Sequence, residues 1–245
     1  MNHKKRDHIY LGIVCPMANE RDVAERSVTA VLDMTSVCKR VTFFAVLDNV
    51  SRDGTRDLLE EMTRREQRLQ VVWSPENRCV VDAYIRGYKE ALQAGCDWIL
   101  EIDAGFSHQP EDIPAFLEKI EQGYDCVFGS RFCMGGAMAE SILERRIISR
   151  GGTILANLLL GTKLKDMTSG FEMFTRQAME MILQRGIHSC GHFFQTEIKA
   201  YCRRLNIAIV PIYYRVPTSR VGDKVLKDAL SNLMRLWRLR LEGKL

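Results

Sequence analysis

The chain has 245 residues, of which 46% are hydrophobic and 27% charged, with a formal net charge of +4 at pH 7. That length and apolar content suffice for one large α/β domain or two small ones with a complete core, and exclude disorder as the default. The mild basicity suits phosphate-bearing ligands or an anionic membrane surface and is too small to argue for nucleic acid.

Ile9 to Cys15 reads as a first strand, and Asn19-Glu20-Arg21-Asp22 opens a helix to about Met34 with Asn19 as a plausible N-cap. Val41 to Leu47 is a second strand, followed by a polar turn and a helix from Thr55 to about Arg65. Leu69 to Trp73 is a third strand and Val80 to Ala94 a third helix. Trp98 to Ile102 is a short apolar run that ends abruptly at Asp103-Ala104-Gly105, the pattern of a buried parallel strand whose C-terminal end faces a ligand crevice. Pro110 to Gln122 reads as a helix with proline in its first turn, and Tyr124 to Phe128 as a fifth strand. This alternation predicts a mostly parallel sheet with helices on both faces.

After Gly129 the rhythm changes. Glu144 to Leu160 reads as a helix interrupted by Gly151-Gly152, Leu164 to Gly170 as a loop, and Phe171 to Phe174 as a short strand. Helices are expected over Gln177–Gln184 and His192–Leu205, a final strand over Ile207–Tyr214, and a long C-terminal helix over Lys224–Leu241. The expected division is therefore one α/β domain over residues 1–223 and a basic amphipathic helix over 224–245. Cysteines 15, 38, 79, 96, 126, 133, 190 and 202 contain no CxxC pair and no zinc-like spacing, which favours free thiols in a reducing cytosol. The basic N-terminus lacks a signal-peptide apolar core. No apolar run approaches the roughly 20 residues needed to cross a bilayer, so any membrane role is expected to be peripheral, on the cytosolic face.

Five segments then fall in order at strand ends: Pro16-Met17-Ala18-Asn19-Glu20; Asp48-Asn49-Val50-Ser51-Arg52-Asp53-Gly54-Thr55; Asp103-Ala104-Gly105-Phe106-Ser107-His108; Gly129-Ser130-Arg131-Phe132; and Asp166-Met167-Thr168-Ser169-Gly170-Phe171. Together they resemble family 2 glycosyltransferases, most closely the dolichyl- or polyprenyl-phosphate mannose synthase branch, over about Ile9 to Lys224. The resemblance implies a GT-A fold: a mostly parallel nucleotide-binding sheet flanked by helices, here with a C-terminal amphipathic helix. It implies an inverting transfer of a hexosyl group from a nucleoside-diphosphate sugar to an acceptor, with polyprenyl phosphate the candidate.

On that resemblance Pro16, Asn19, Glu20, Asp48, Asp103, Ala104 and Gly105 would line the nucleotide-sugar site. Asp103 and Ser107 would hold Mg²⁺ or Mn²⁺. Arg131, Arg146, Arg150, Ser169, Gln195, Arg220 and Lys224 would face phosphate or acceptor, and Asp103, Arg131 and Glu197 would be catalytic. Asp53, in a natural turn and cap sequence, reads as structural.

Two departures stand out. The segment Arg78-Cys79-Val80-Val81-Asp82-Ala83-Tyr84 lacks the glycines that the family carries near the nucleotide, with Arg78 and Asp82 as alternative side-chain contacts. Gly105 stands where the second acid of the Asp-x-Asp pattern belongs, which weakens any metal site and leaves a non-catalytic nucleotide-sugar-binding protein open. Glu197, in Phe194-Gln195-Thr196-Glu197, carries a further alternative. A hydroxyl acceptor needs a base, whereas a phosphate acceptor is already ionised at pH 7. His188 and His192 read as loop or cap residues. The tail from Leu226 to Leu241 has an apolar stripe with Trp237 and flanking cations, which suits either a membrane interface or packing on the domain.

Overall fold

The computed structural model describes residues 9–138, 143–215 and 223–245, with the side chains of 143–146 and 223–224 outside the description. In its first half, strands β1 (Tyr10–Pro16), β2 (Arg40–Leu47), β3 (Leu69–Trp73), β4 (Trp98–Glu101) and β5 (Cys126–Ser130) alternate with helices α1 (Arg21–Met34), α2 (Thr55–Met62), α3 (Val80–Gln93) and α4 (Ile113–Leu117). After a two-residue strand β6 (Ala137–Met138) follow α5 (Leu143–Leu160), β7 (Glu172–Thr175), α6 (Arg176–Arg185), α7 (Phe194–Tyr201), β8 (Ile207–Pro211), β9 (Tyr213–Tyr214) and α8 (Asp223–Leu241).

The main sheet has seven strands in the order β3-β2-β1-β4-β7-β5-β8. β1, β2, β3 and β4 run parallel, β7 lies antiparallel between β4 and β5, and β8 runs parallel to β5. The strand order reverses between β1 and β4, so their C-terminal ends, at Pro16 and Asp103, open a crevice at the switch point. Period-two alternation sends Leu11 and Ile13 into one core with Phe43, Leu100, Phe116 and Phe171. The intervening face places Val14 in a second core with Phe44, Tyr84, Tyr88, Phe128 and Phe174.

The differences from the sequence reading lie at breaks. The expected helix over 110–122 is shortened to α4 between two 3₁₀ turns. The final strand divides at Ile212, after which β9 pairs with β6 as a separate two-stranded ribbon. α5 runs unbroken through Gly151 and Gly152, since a glycine pair costs only about 1 kcal/mol per residue against alanine and α5 is anchored elsewhere. It ends at Gly161, whose φ of +69° is the left-handed C′ conformation, and a Cβ there would lie 2.7 Å from the Arg240 guanidinium carbon. That guanidinium instead caps the Leu158 and Leu159 carbonyls at 2.9 and 2.8 Å.

α8 packs on the body. Leu233 and Leu236 are buried, Trp237 packs against the core, and α8 touches α5 and α7. The apolar stripe of the tail is thus divided: its middle packs on the domain, whereas Leu226, Leu230 and Leu241 stay 57–69% exposed. No helix among the described residues is long and apolar enough to cross a membrane.

Candidate active site

The crevice is built from three loops at strand ends. After β1, Met17 N–H bonds to the Val46 carbonyl at 2.9 Å, and Asn19 adopts φ of +58°. Asparagine tolerates this left-handed conformation, and its side chain crosses to the second loop, donating to the Val50 carbonyl (3.0 Å) and accepting from Arg52 N–H (2.9 Å). Asn19 is therefore not the N-cap; Glu20 occupies that position without a side-chain cap bond. Asp53 does the capping instead, accepting from Arg21 N–H and Thr55 N–H, each at 3.0 Å. The Thr55 hydroxyl, then these amides, hold its carboxyl below the usual range. Asp48 closes the second loop by accepting from Val50 N–H at 2.9 Å, while Asn49 reaches the Pro75 carbonyl at 2.9 Å.

The third loop follows β4. The Asp103 side chain is 40% exposed at the crevice, and the buried Tyr84 hydroxyl donates to one of its oxygens. Its backbone N–H donates to Nδ1 of the buried His108 at 3.2 Å. Burial holds His108 below its ordinary pKa, although the Asp103 charge pulls it upward. A neutral ring, stacked on Phe171 at 5.0 Å, thus locks the turn. Gly105 has φ of +73°, and a Cβ there would lie 3.1 Å from Glu20 Oε2. The missing second carboxylate therefore has another carboxylate beside its place. Burial, then Asp53 and Asp103, push the Glu20 carboxyl up.

No three His, Cys, Asp or Glu side chains stand together as a metal-binding group among the described residues. The half-exposed Asp103 and the neighbouring Glu20 offer only hard oxygen donors. This donor set fits Mg²⁺ or Mn²⁺ completed by water and substrate oxygens, and not a metal enclosed by protein. Ser107 lies in the same loop, its carbonyl accepting from Arg215 N–H at 2.9 Å.

Arg131 follows β5 at 7% exposure, in a two-pronged pair with Asp166 (2.8 and 2.7 Å), and also donates to Thr168 Oγ1 at 2.6 Å. Burial opposes ionisation of Asp166, but the Arg131 hydrogen bonds and charge outweigh it and hold the carboxyl low. The guanidinium expected to clamp phosphate is thus chiefly a strut between β5 and the 166–171 loop. Its remaining face lines a cavity of about 380 Å³ with Phe132, Gly136, Ala137, Met138, Ile147 and Arg150. Arg150 is exposed, and its guanidinium stands 5.2 Å over the Phe132 ring. The Arg146 and Lys224 side chains and all of Arg220 lie outside the described residues.

Two expectations on α7 are corrected. Gln195 does not face the crevice: it is buried and donates to Glu101. Glu197 is not placed as a base. It is fully buried, accepting from His188 N–H and Ser189 N–H (3.2 and 3.0 Å), from Tyr201 Oη (2.8 Å) and from Arg235 of α8. Ser169 is also buried, presenting its carbonyl to Lys199 Nζ at 2.6 Å. His188 is half exposed, with Nδ1 3.2 Å from the Gly186 carbonyl, and His192 is exposed. Arg78 and Asp82 pair with each other at 3.0 Å.

The sequence reading missed a buried polar layer beneath these loops. Tyr88 and Gln195 donate to Glu101, which pairs across the sheet with Glu172, itself bonded to Lys199. Burial, then Glu172, push Glu101 well above the usual carboxyl range; burial raises Glu172 to about 7 against the pull of Lys199. The available signal was an acid interrupting an apolar strand and a lysine on the inward face of α7.

The family description "Glycosyl transferase family 2" matches residues 12–183, more than half of the chain. The chain belongs to this family. As a member it is a nucleotide-sugar-dependent glycosyltransferase. It is similar to an undecaprenyl-phosphate mannosyltransferase of Micrococcus luteus, 32% identical over 195 residues, covering 78% of this chain and 80% of that one. It is also similar to a polyprenol monophosphomannose synthase of Mycolicibacterium smegmatis, 26% identical over 224 residues, covering 89% and 83%. A glucosyl-3-phosphoglycerate synthase from Mycobacterium tuberculosis, solved with Mn²⁺, UDP and glucosyl-3-phosphoglycerate, shares the fold at a TM-score of 0.69 and 15% identity, covering 97% of this chain and 85% of that one. The same synthase was also solved with Mg²⁺ and UDP, and shares the fold at a TM-score of 0.68.

Proposed function

We propose that this family 2 glycosyltransferase moves a hexosyl group, mannosyl on the names of its relatives, from a nucleoside-diphosphate sugar to a polyprenyl phosphate, with inversion. The observation that carries the acceptor class is Glu197. The carboxylate that a hydroxyl acceptor would require as base is fully buried, taken up by two backbone N–H groups, the Tyr201 hydroxyl and the Arg235 guanidinium. A phosphate acceptor is ionised at pH 7 and attacks without one.

Asp48 and the Pro16–Glu20 loop hold the nucleoside end, and Asp103, oriented by Tyr84, faces the donor diphosphate. The acceptor oxygen forms its bond to the anomeric carbon on the face opposite the leaving diphosphate, whose carbon–oxygen bond breaks. Bound Mg²⁺ or Mn²⁺, held by Asp103 and Glu20 with Ser107 nearby, would supply neutralisation of charge on the diphosphate. Arg150 and the free face of Arg131 offer cations to the acceptor phosphate across the 380 Å³ cavity.

The exposed face of α5 runs on from that cavity. Ile147, Ile148, Ile154, Leu155 and Leu158 stand 43–73% exposed on one side of the helix, in the neighbourhood of the exposed Arg150, Lys163 and Lys165. This apolar-and-basic surface supports a polyprenyl tail or anionic membrane interface at α5.

The test is transfer from a panel of nucleotide sugars to undecaprenyl phosphate in detergent micelles, with mass spectrometry of the lipid. A glycosyl-phospholipid with the anomeric configuration opposite to the donor's is expected, and Asp103→Ala should abolish it together with thermal stabilisation by nucleoside diphosphate. Transfer to a soluble hydroxyl, with none to lipid, overturns the acceptor.

A further inference from the structure

Tyr84 and Tyr88 stand one turn apart on α3, at positions that share a helix face, with ring centroids 6.1 Å apart. Both side chains are buried, and each hydroxyl donates to an acid at the end of β4: Tyr84 to Asp103 and Tyr88 to Glu101. Glu101 and Asp103 are two residues apart, so an extended chain presents both toward α3. The two bonds are rungs of one ladder between helix and strand. Gly87 lets the helix come this close, since a Cβ there would stand 2.3 Å from Val14 Cγ1 of β1.

α7 closes the ladder from another side. Gln195 Nε2 donates to the second oxygen of Glu101, and the Phe194 ring packs on Tyr84 with centroids 5.2 Å apart. Both Glu101 oxygens are thereby taken, which fixes the plane of its carboxylate and the height of α3 on β4. Stability alone does not call for such a layer. Gln195 Oε1 and Glu172 Oε2 are buried with no hydrogen-bond partner among the described residues, and apolar side chains of similar volume would pack there without that cost. What apolar contacts do not supply is direction. Asp103 needs it, because its side chain is 40% exposed at the crevice and takes its hydrogen bond from Tyr84.

We propose that Tyr88, Glu101 and Gln195 are positioning residues for the transfer. Through the register of α3 on β4 they fix the Tyr84 hydroxyl, and that hydroxyl turns the Asp103 carboxylate toward the donor diphosphate. Gln195 thus serves the donor side from inside the fold and not the acceptor from the crevice. This role rests on the reading of Asp103 as the carboxylate that faces the donor diphosphate and would hold Mg²⁺ or Mn²⁺.

Tyr88→Phe keeps the ring and removes only the hydroxyl, and Glu101→Leu removes the acceptor. In Glu101→Gln the new amide accepts from Tyr88 and donates to the Gln195 side-chain oxygen once that amide turns over. Each full-length variant is titrated with Mn²⁺ in a thermal-shift assay at saturating UDP, GDP or ADP, whichever stabilises the parent most. Transfer to undecaprenyl phosphate is measured per folded molecule. Tyr88→Phe and Glu101→Leu should need about 10-fold more Mn²⁺ for the half-maximal shift and lose kcat by a similar factor, the usual effect of removing a partner of a metal-binding carboxylate. Their KM for undecaprenyl phosphate should not change, and Glu101→Gln should match the parent in both readouts. Adding Tyr88→Phe to Tyr84→Phe should bring no further loss, because both act through one carboxylate. A lower melting temperature with parental Mn²⁺ response and kcat makes the layer structural and overturns the proposal, as do losses that multiply in the double variant. If Asp103→Ala responds to Mn²⁺ and turns over like the parent, the Asp103 reading falls. If Asp103→Ala loses both while Tyr88→Phe and Glu101→Leu keep them, only the positioning role falls.

Discussion

Glu197 illustrates how a motif residue and a reacting residue differ. Its carboxylate lies in the interior and is matched by Arg235, so removing it leaves a charge without its partner, at a cost of about 3–5 kcal/mol. Glu197→Ala should therefore lower the melting temperature sharply, whereas turnover per folded molecule should stay within an order of magnitude of the parent. A loss of roughly 10²–10⁴-fold, the usual contribution of a general base, with unchanged melting would make it the base after all. Gly105 makes a second case. Aspartate there must accept φ of +73° beside the Glu20 carboxylate, a strain of about 1–3 kcal/mol. Gly105→Asp should melt below the parent without metal and gain more than the parent from Mn²⁺ in a thermal-shift titration. An equal Mn²⁺ response in both would remove position 105 from the metal.

Among the elements, α5 and α8 both carry exposed apolar residues beside cations. α8 has Trp237, abundant cations and exposed Leu226, Leu230 and Leu241, while its Leu233 and Leu236 are covered and its Arg235 and Arg240 reach Glu197 and the end of α5. α5, with a glycine pair in its middle, keeps the larger exposed apolar side, formed by Ile147, Ile148, Ile154, Leu155 and Leu158. Full-length protein should sediment with anionic vesicles at low salt, and Ile154→Glu combined with Leu158→Glu should abolish this without lowering the melting temperature. Truncation after Lys224 should lower the melting temperature instead. Retention of vesicle binding by the α5 double variant, with loss on truncation, would return the interface to α8.

For the molecule as a whole, the buried carboxyls under the crevice set a pH dependence. Glu101 and Glu172 are raised in the folded state, Glu172 from about 4.5 to about 7. Folded protein thus holds their protons more tightly than unfolded chain does. Their stabilising effect is complete below about pH 4.5 and is lost as pH rises toward 7. Asp166 works in the opposite sense at lower pH: its carboxyl is held low, so its contribution is lost as pH falls below the ordinary aspartate range. Replacing the pair together, Glu172→Gln with Lys199→Met, should flatten the dependence of stability on pH between about 4.5 and 7, measured by denaturant melts. An unchanged slope would place the titrating group elsewhere.

The α/β alternation, the strand ends at Pro16, Asp48 and Asp103, and the turn that Asp53 makes with Thr55 were legible in the sequence because each depends on local pattern: apolar runs, turn chemistry and residues a few positions apart; the Asp53 bond to Arg21 N–H, made across 32 positions, was not. The antiparallel insertion of β7 between β4 and β5 was not, because strand neighbours are chosen by long-range pairing that leaves no local mark. The same limit governs side-chain direction. Arg131, Gln195 and Glu197 stand at positions that match family motifs, but whether a guanidinium or carboxylate faces the crevice or a buried partner depends on which distant residue lies opposite, here Asp166, Glu101 and Arg235. Burial makes those partnerships compulsory, since an isolated charge in the interior is far more costly than a paired one, and only packing of the whole chain establishes which groups are buried together.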